Sequence, residues 1–344
     1  MPMLRRIGFI LTAVILLSCG AAMAQQKPVT LWHVFNLETD MIHGGIKSFN
    51  ETQTAYRIDA RLVPANSLVA ELIKAVATGS VPDLVTLDNP AVASFASQGT
   101  LLDLTDRVAA SSVVKPAVYF KGPWASGQWK GRTYAVPRDA NTLVLCYNAD
   151  MFRAKGLDPD KPPATWSELV AAAGKLRDPA KNVFGFGFSA LQAEEGVFQW
   201  LPFLYQAGGS VDRLNAPEAA ESLALLADFV KSGATSLDVV NQRQYEVTNV
   251  FMADPKIVSE GWNTGRLPPR TDIVLANPQW PGAYAIYHQQ LETARPRGPH
   301  PQWPDLSRAM QIAIQEAITG KRSAAEALDD AAKKIRPILA KTPL

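Results

Sequence analysis

The chain has 344 residues, 47% hydrophobic and 19% charged, enough apolar material for a substantial core and unlike a disordered or fibrous composition. Its formal net charge is +2, and Arg5 and Arg6 lie in an N-terminal stretch without acids, so the remainder is near neutral and offers no excess positive charge for a nucleic-acid surface. Four histidines without a His-x-x-x-His spacing give no zinc pattern.

Residues 1–24 read as an export signal: Arg5-Arg6 form the charged start, Ile7 to Leu17 an apolar run too short to span a bilayer comfortably, and Ala22-Met23-Ala24 a small-x-small cleavage site. Cleavage after Ala24 predicts a periplasmic protein. Leu16-Leu17-Ser18-Cys19 offers the alternative of a lipid anchor on Cys19, and a buried N-terminal strand or helix is the plain alternative to both. After cleavage at Ala24, Cys146 is the single cysteine, inside an apolar run, and reads as a small core residue.

The rest of the chain predicts alternating strands and helices. Val29–Trp32 is a strand, followed by the polar loop 33–40 and a helix around 41–50. Tyr56, Ile58, Ala60 and Leu62 alternate with polar residues as a second strand, Leu68–Thr78 is a helix stopped by Gly79, and Asp83–Leu87 is a short buried strand. Asn89-Pro90 precedes a further helix ending near Gly99. This order predicts a parallel α/β lobe whose ligands sit at the carboxyl ends of the strands, at His33–Asn36, Asp88–Asn89 and Arg138–Asn141.

Leu143–Tyr147 is a buried strand. Pro162-Pro163 interrupts any helix, and Thr165-Trp-Ser-Glu168 is a capping box opening a helix with Leu169, Val170, Ala173 and Leu176 on its apolar side. Phe184–Phe188 predicts a strand, Phe198–Tyr205 a buried helix, and Pro217 the start of a helix closed by Gly233. Residues 278–304 read as an irregular surface segment. Ser323-Ala-Ala-Glu326 is a second capping box, opening an amphipathic helix to Leu339.

The string from Tyr134 to Leu169 closely resembles the passage between lobes in extracellular solute-binding proteins of sugar-type ABC importers. Further pieces resemble that family in the same order: Val81-Pro-Asp-Leu-Val, Val230-Lys-Ser-Gly-Ala-Thr-Ser, Trp262 to Arg270, and Ile318-Thr-Gly320 through Leu328. The resemblance implies an α/β, periplasmic-binding-protein-like fold of two lobes with a central cleft. Its expected domains are the signal (1–24), lobe 1 (25–137), lobe 2 with crossing segments (138–270) and a C-terminal wrapping segment with helices (271–344). One departure stands out: Phe251 runs directly into Met252-Ala-Asp-Pro, where the family has a glycine-rich run and a Gly-x-Trp loop. An internal shortening is expected there, with Gly261-Trp262 as a candidate replacement loop.

A neutral sugar needs planar polar side chains for its hydroxyls and aromatic rings for its C–H faces. The candidates are His33, Phe35 and Asn36 after the first strand, Asp88 and Asn89 after the third, and Arg138, Asp139 and Asn141 at the crossing. Glu194, Glu195, Trp262 and Arg297 complete the set. Several have a plainer alternative: a helix cap for Asp88 or Asn89, an interlobe salt bridge for the Arg138, Asp139 and Asn141 group, a solvated helix start for Glu194 and Glu195, and an exposed loop for Arg295 and Arg297. Trp200 reads as core, and Trp124 and Trp129 as either cleft rim or surface packing.

The expected function is therefore an extracytoplasmic solute-binding subunit, not an enzyme, that delivers a sugar or sugar-like solute to a membrane permease. A glycerol-phosphate-type polyol is one option, on account of Arg138 and Arg270. The expected protein is a monomer with no cofactor, metal or nucleic-acid partner. A shortened relative that no longer binds solute is the alternative from another class. A serine acyl-enzyme hydrolase rests only on Ser112-Val-Val-Lys115 and Lys231-Ser-Gly233, and Pro116 interrupts the helix that motif requires. Gly185-Phe-Gly187 is too short for a nucleotide fingerprint.

Overall fold

The computed structural model describes residues 26–34, 41–253, 259–263, 269–273 and 283–344. The signal segment, with Cys19 and Ala24, lies outside them. The chain divides into two compact units, Met1–Thr86 and Leu87–Leu344.

The first unit is built on β1 (Lys27–His33), α1 (Met41–Thr52), β2 (Tyr56–Leu62), α2 (Leu68–Thr78) and β3 (Leu84–Val85). The strands form a parallel sheet in the order β2-β1-β3, with Lys27 opposite Tyr56 and Leu31 opposite Leu84. Parallel pairing requires crossover helices, which α1 and α2 supply. Gly79 ends α2 in the left-handed conformation, φ 69°, where its amide bonds back to the helix. That geometry is cheap only without a Cβ. β2 forms where its alternation predicts, yet Tyr56 and Leu62 on this edge strand are exposed.

The second unit begins with α3 (Asn89–Ser97), α4 (Thr105–Ala109), α5 (Lys121–Ser126) and the short hairpin β4 (Gln128–Trp129) and β5 (Arg132–Thr133). β6 (Leu143–Tyr147), α6 (Ala149–Ala154), α7 (Trp166–Leu176), α8 (Glu194–Gln206), α9 (Pro217–Lys231), α10 (Gln244–Ala253) and β7 (Ser259–Asn263) follow. The chain closes with α11 (Ala283–Thr293), α12 (Trp303–Ile318) and α13 (Ala324–Lys341). The principal core is helical: α8, α9, α12 and α13 bury Trp200, Leu204, Leu223, Leu226, Trp303, Leu306, Met310 and Leu328 together. Trp200 is core, as expected, and its indole N–H donates to Ser222 Oγ at 3.0 Å.

β6 pairs with β7 antiparallel, Leu143 opposite Asn263 and Tyr147 opposite Ser259. Two strands alone are marginal in water, but this ribbon is supported on both faces. Leu145 packs against the principal core, and Val144 against a second cluster of Phe120, Tyr287 and Leu291.

Three expectations are corrected. Gly185–Phe188 is buried and Phe184 half-buried, but Phe184–Phe188 is not a continuous strand. Gly185 and Phe186 donate to the Ala234 carbonyl, and Thr235 Oγ1 donates to the Phe186 carbonyl at 2.8 Å, so single bridges at Phe184 and Gly187 stand where a continuous ladder was expected. Residues 283–293, expected to be irregular, form α11, because Tyr287 and Leu291, one helical turn apart, both enter the second cluster. Val170 is exposed, and α7 buries Ala172 beside Leu169, Ala173 and Leu176.

Both capping boxes form. Glu168 N donates to Thr165 Oγ1 at 3.2 Å while Thr165 N donates to Glu168 Oε2 at 3.1 Å, and Ser323 and Glu326 repeat the exchange. Lys231 ends α9, Gly233 has φ 71°, and Lys115 precedes a 3-10 turn, so neither hydrolase fragment has the element its motif needs.

Candidate functional site

Asp88 caps α3, accepting the Asn89 amide at 3.0 Å. A side-chain acceptor at this position satisfies one of the amides a helix start leaves unpaired. The same oxygen, Oδ1, accepts Nη2 of Arg297 at 2.7 Å, a charge-assisted bond across 209 residues. Arg297 Nη2 also donates to Asn89 Oδ1 at 3.0 Å, and Asn89 Nδ2 returns a bond to the Arg297 carbonyl at 2.9 Å. The other fork of the guanidinium, Nη1, donates to Glu194 Oε1 at 3.0 Å.

Glu194 is set by the first turn of α8, where the helix dipole favours a carboxylate. It accepts the Trp303 indole N–H at 2.9 Å and the Ser307 hydroxyl, both from α12. The Phe198 ring, one turn along α8, lies 5.3 Å from the Arg297 guanidinium carbon. Burial alone would lower the Arg297 pKa, but the Asp88 and Glu194 carboxylates outweigh it and raise the guanidinium above its ordinary range.

Four of the sequence candidates, Asp88, Asn89, Glu194 and Arg297, are thus one network. Glu194 is not a solvated helix start, nor is Arg297 an exposed loop residue: its side chain is 12% exposed. Trp303, Ser307 and Phe198 belong to the network and escape a sequence reading. The signal for Trp303 and Ser307 was their one-turn spacing on an amphipathic helix opened by Pro304.

The remaining candidates lie elsewhere. Glu195 accepts Arg243 Nη1 at 3.1 Å and the Gln244 amide at 2.8 Å, holding the start of α10. Arg138 and Asp139 pair with each other, and Asn141 is exposed before β6. His33 ends β1 and is fully buried. Phe35 and Asn36 lie outside the described residues. Trp262 lies on β7 opposite Val144, so Gly261-Trp262, a candidate for a replacement loop, is part of a strand. Arg295 stacks over Tyr205 at 5.0 Å, and Arg270 grips Asp272 through two bonds of 2.8 and 2.6 Å. A groove of about 240 Å³ elsewhere is lined by Gln192, Ile312, Gln315, Glu316, Thr319 and Lys321, none of them a candidate. Among the described residues no group of three or more His, Cys, Asp or Glu could hold a metal.

A family model described as bacterial extracellular solute-binding protein matches residues 46–271, well over half of the chain. The chain belongs to that family. Among relatives of this solute-binding protein, the sn-glycerol-3-phosphate-binding periplasmic protein UgpB of Brucella abortus is 27% identical over 256 residues, covering 65% of this chain and 55% of UgpB. UgpB of Escherichia coli is 26% identical over 233 residues, covering 62% and 52%. The chain therefore spans about half the length of the curated relatives it matches.

The fold is that of periplasmic sugar-binding proteins. The sugar-binding protein MalE of Xanthomonas citri superposes with a TM-score of 0.76 at 18% identity, covering 92% of this chain and 98% of MalE. The cyclic alpha-maltosyl-1,6-maltose binding protein of Arthrobacter globiformis gives 0.75 at 22% identity, covering 92% and 100%. Among the described residues no helix is long and apolar enough to cross a membrane.

Proposed function

We propose that this chain is the extracytoplasmic solute-binding subunit of an ABC importer, capturing a sugar or sugar-like solute and handing it to a membrane permease. The observation that carries this reading is the family match over residues 46–271, joined to the fold likeness with sugar-binding receptors. Export through the signal at residues 1–24, with cleavage after Ala24, places the mature chain in the periplasm in this reading.

An uncharged polyhydroxylated solute fits the described residues better than a phosphorylated polyol. Arg138, Arg270 and Arg297 are each engaged by a carboxylate: Asp139 on the first, Asp272 on the second, Asp88 and Glu194 on the third. A phosphate would have to break such a pair to gain its own bidentate contact. Hydroxyl groups need only an open acceptor, and Asp88, 63% exposed, supplies one.

The test is thermal melting of the purified protein against neutral mono- and oligosaccharides, alditols and glycerol 3-phosphate. A specific ligand raises the midpoint by mass action, about 2.7 kcal/mol of stabilisation at a hundred times Kd. A neutral sugar that raises the midpoint, with an affinity insensitive to salt, supports the reading. A midpoint unmoved by every compound would leave a relative that no longer binds solute.

A further inference from the structure

The two carboxylate oxygens of Asp88 are not equivalent. Oδ1 accepts both Arg297 Nη2 and the Asn89 amide, and among the described residues no hydrogen bond ends on Oδ2. A carboxylate this exposed ordinarily samples several rotamers and loses that freedom on binding. Here one oxygen is pinned to a group that is itself immobilised. Glu194 takes Nη1, Asn89 takes part of Nη2 and bonds the Arg297 carbonyl, and Phe198 lies against the guanidinium. Glu194 is fixed in turn by Trp303 and Ser307, which are buried in the principal core. Rigidity therefore passes from α12 through Glu194 and Arg297 to a side chain at the surface.

We infer that Arg297 is a positioning residue for solute binding: it fixes Asp88 so that Oδ2 is presented as an acceptor for a solute hydroxyl, and does not touch the solute itself. This rests on the solute-binding reading above. One arginine between two carboxylates carries a net negative charge, so the presented oxygen suits a hydroxyl donor and repels an anion. Its fork is already occupied, so the guanidinium has no bidentate face left for a ligand. Pre-organising the acceptor removes an ordering cost that binding would otherwise carry.

The experiment is calorimetry with the neutral sugar that gives the largest melting shift, on the wild type, Asp88→Asn, Arg297→Gln and the double variant. Each single variant is expected to weaken affinity on the order of tenfold or more, and the double no further than the worse single, because one removes the presented oxygen, the other unfixes it, and both act on the same contact. An Arg297 that only supports the fold would lower the melting midpoint and leave the affinity of the folded protein unchanged, or would add its loss to that of Asp88→Asn. Either result overturns the inference.

Should Arg297→Gln fail to fold, a crystal structure of the wild-type complex decides. Asp88 Oδ2 on a solute hydroxyl with Oδ1 still on Arg297 supports the inference; a direct bond from Arg297 to the solute overturns it. A wild type that binds no member of the panel removes the solute-binding reading itself. Binding by the wild type and equally by Arg297→Gln removes the positioning role alone.

Discussion

Thr30 and Asp83 hold each other by three hydrogen bonds. The Thr30 amide and hydroxyl both donate to Asp83 Oδ2 at 2.8 Å, and the Asp83 amide donates to the Thr30 hydroxyl at 2.9 Å. The pair ties the return from α2 to the middle of β1, where β3 must pair. Strand pairing in the first unit thus depends on a polar clasp as well as on the apolar residues of its sheet.

The Thr30 amide, followed by its hydroxyl, holds the Asp83 carboxyl below its ordinary 3.8. A lowered carboxylate contributes stability above the unfolded value and loses it as pH falls through the folded one. Thr30→Val keeps the side-chain shape and removes the hydroxyl. We expect the Asp83 titration, followed by carboxyl NMR, to move up toward 3.8. The melting midpoint should fall at pH 7, by a margin that narrows on acidification.

Asp103 is a sharper case of the same linkage. The Thr105 hydroxyl and amide, with Arg132 adding to them, hold its carboxyl down at about 2. Its contribution is fully present above 3.8 and disappears as pH drops through about 2. Thr105→Ala should raise that titration by removing the 2.6 Å hydroxyl bond. An NMR titration of Asp103 unchanged in the variant would contradict this.

Gly185 sits against α7. A Cβ built there would meet the Ala173 carbonyl oxygen at 2.0 Å, with backbone atoms close behind. Neither side can yield without moving the helix, so Gly185→Ala is expected to destabilise by about 3 kcal/mol or more, beyond ordinary overpacking. Urea unfolding measures it, and a change within about 1 kcal/mol would mean that the segment is free to shift.

Glu194 and Glu195 are neighbours with unequal expected costs. Glu194→Ala strips a carboxylate from a nearly buried guanidinium and leaves the Trp303 indole N–H without its acceptor. That loss should be about 2–3 kcal/mol. Glu195→Ala releases the Gln244 amide and Arg243, whose side chain is about half exposed where that of Arg297 is nearly buried, for about 1 kcal/mol. Equal costs in urea titrations would contradict the network's burial.

The sequence by itself determined what a few neighbouring residues can settle. The capping boxes at Thr165 and Ser323, the stop at Gly79, the strand Leu143–Tyr147 and the helices at Leu68–Thr78 and Pro217–Lys231 are legible, because caps, turns and periodicity act within about one helical turn. The resemblance to the solute-binding family also followed from local strings in a shared order. What only the tertiary structure decided is which distant groups meet. Asp88, Asn89, Glu194 and Arg297 stood as separate candidates beside Glu195 and Arg138, and nothing local says that the first four share one network while the others pair elsewhere. Phe184–Phe188 has a strand's composition, yet among the described residues it forms no continuous strand, and the Ala234 carbonyl and Thr235 hydroxyl take part of its backbone bonding. Buried polar groups must find partners wherever the fold brings them, and that choice is made across hundreds of residues of chain.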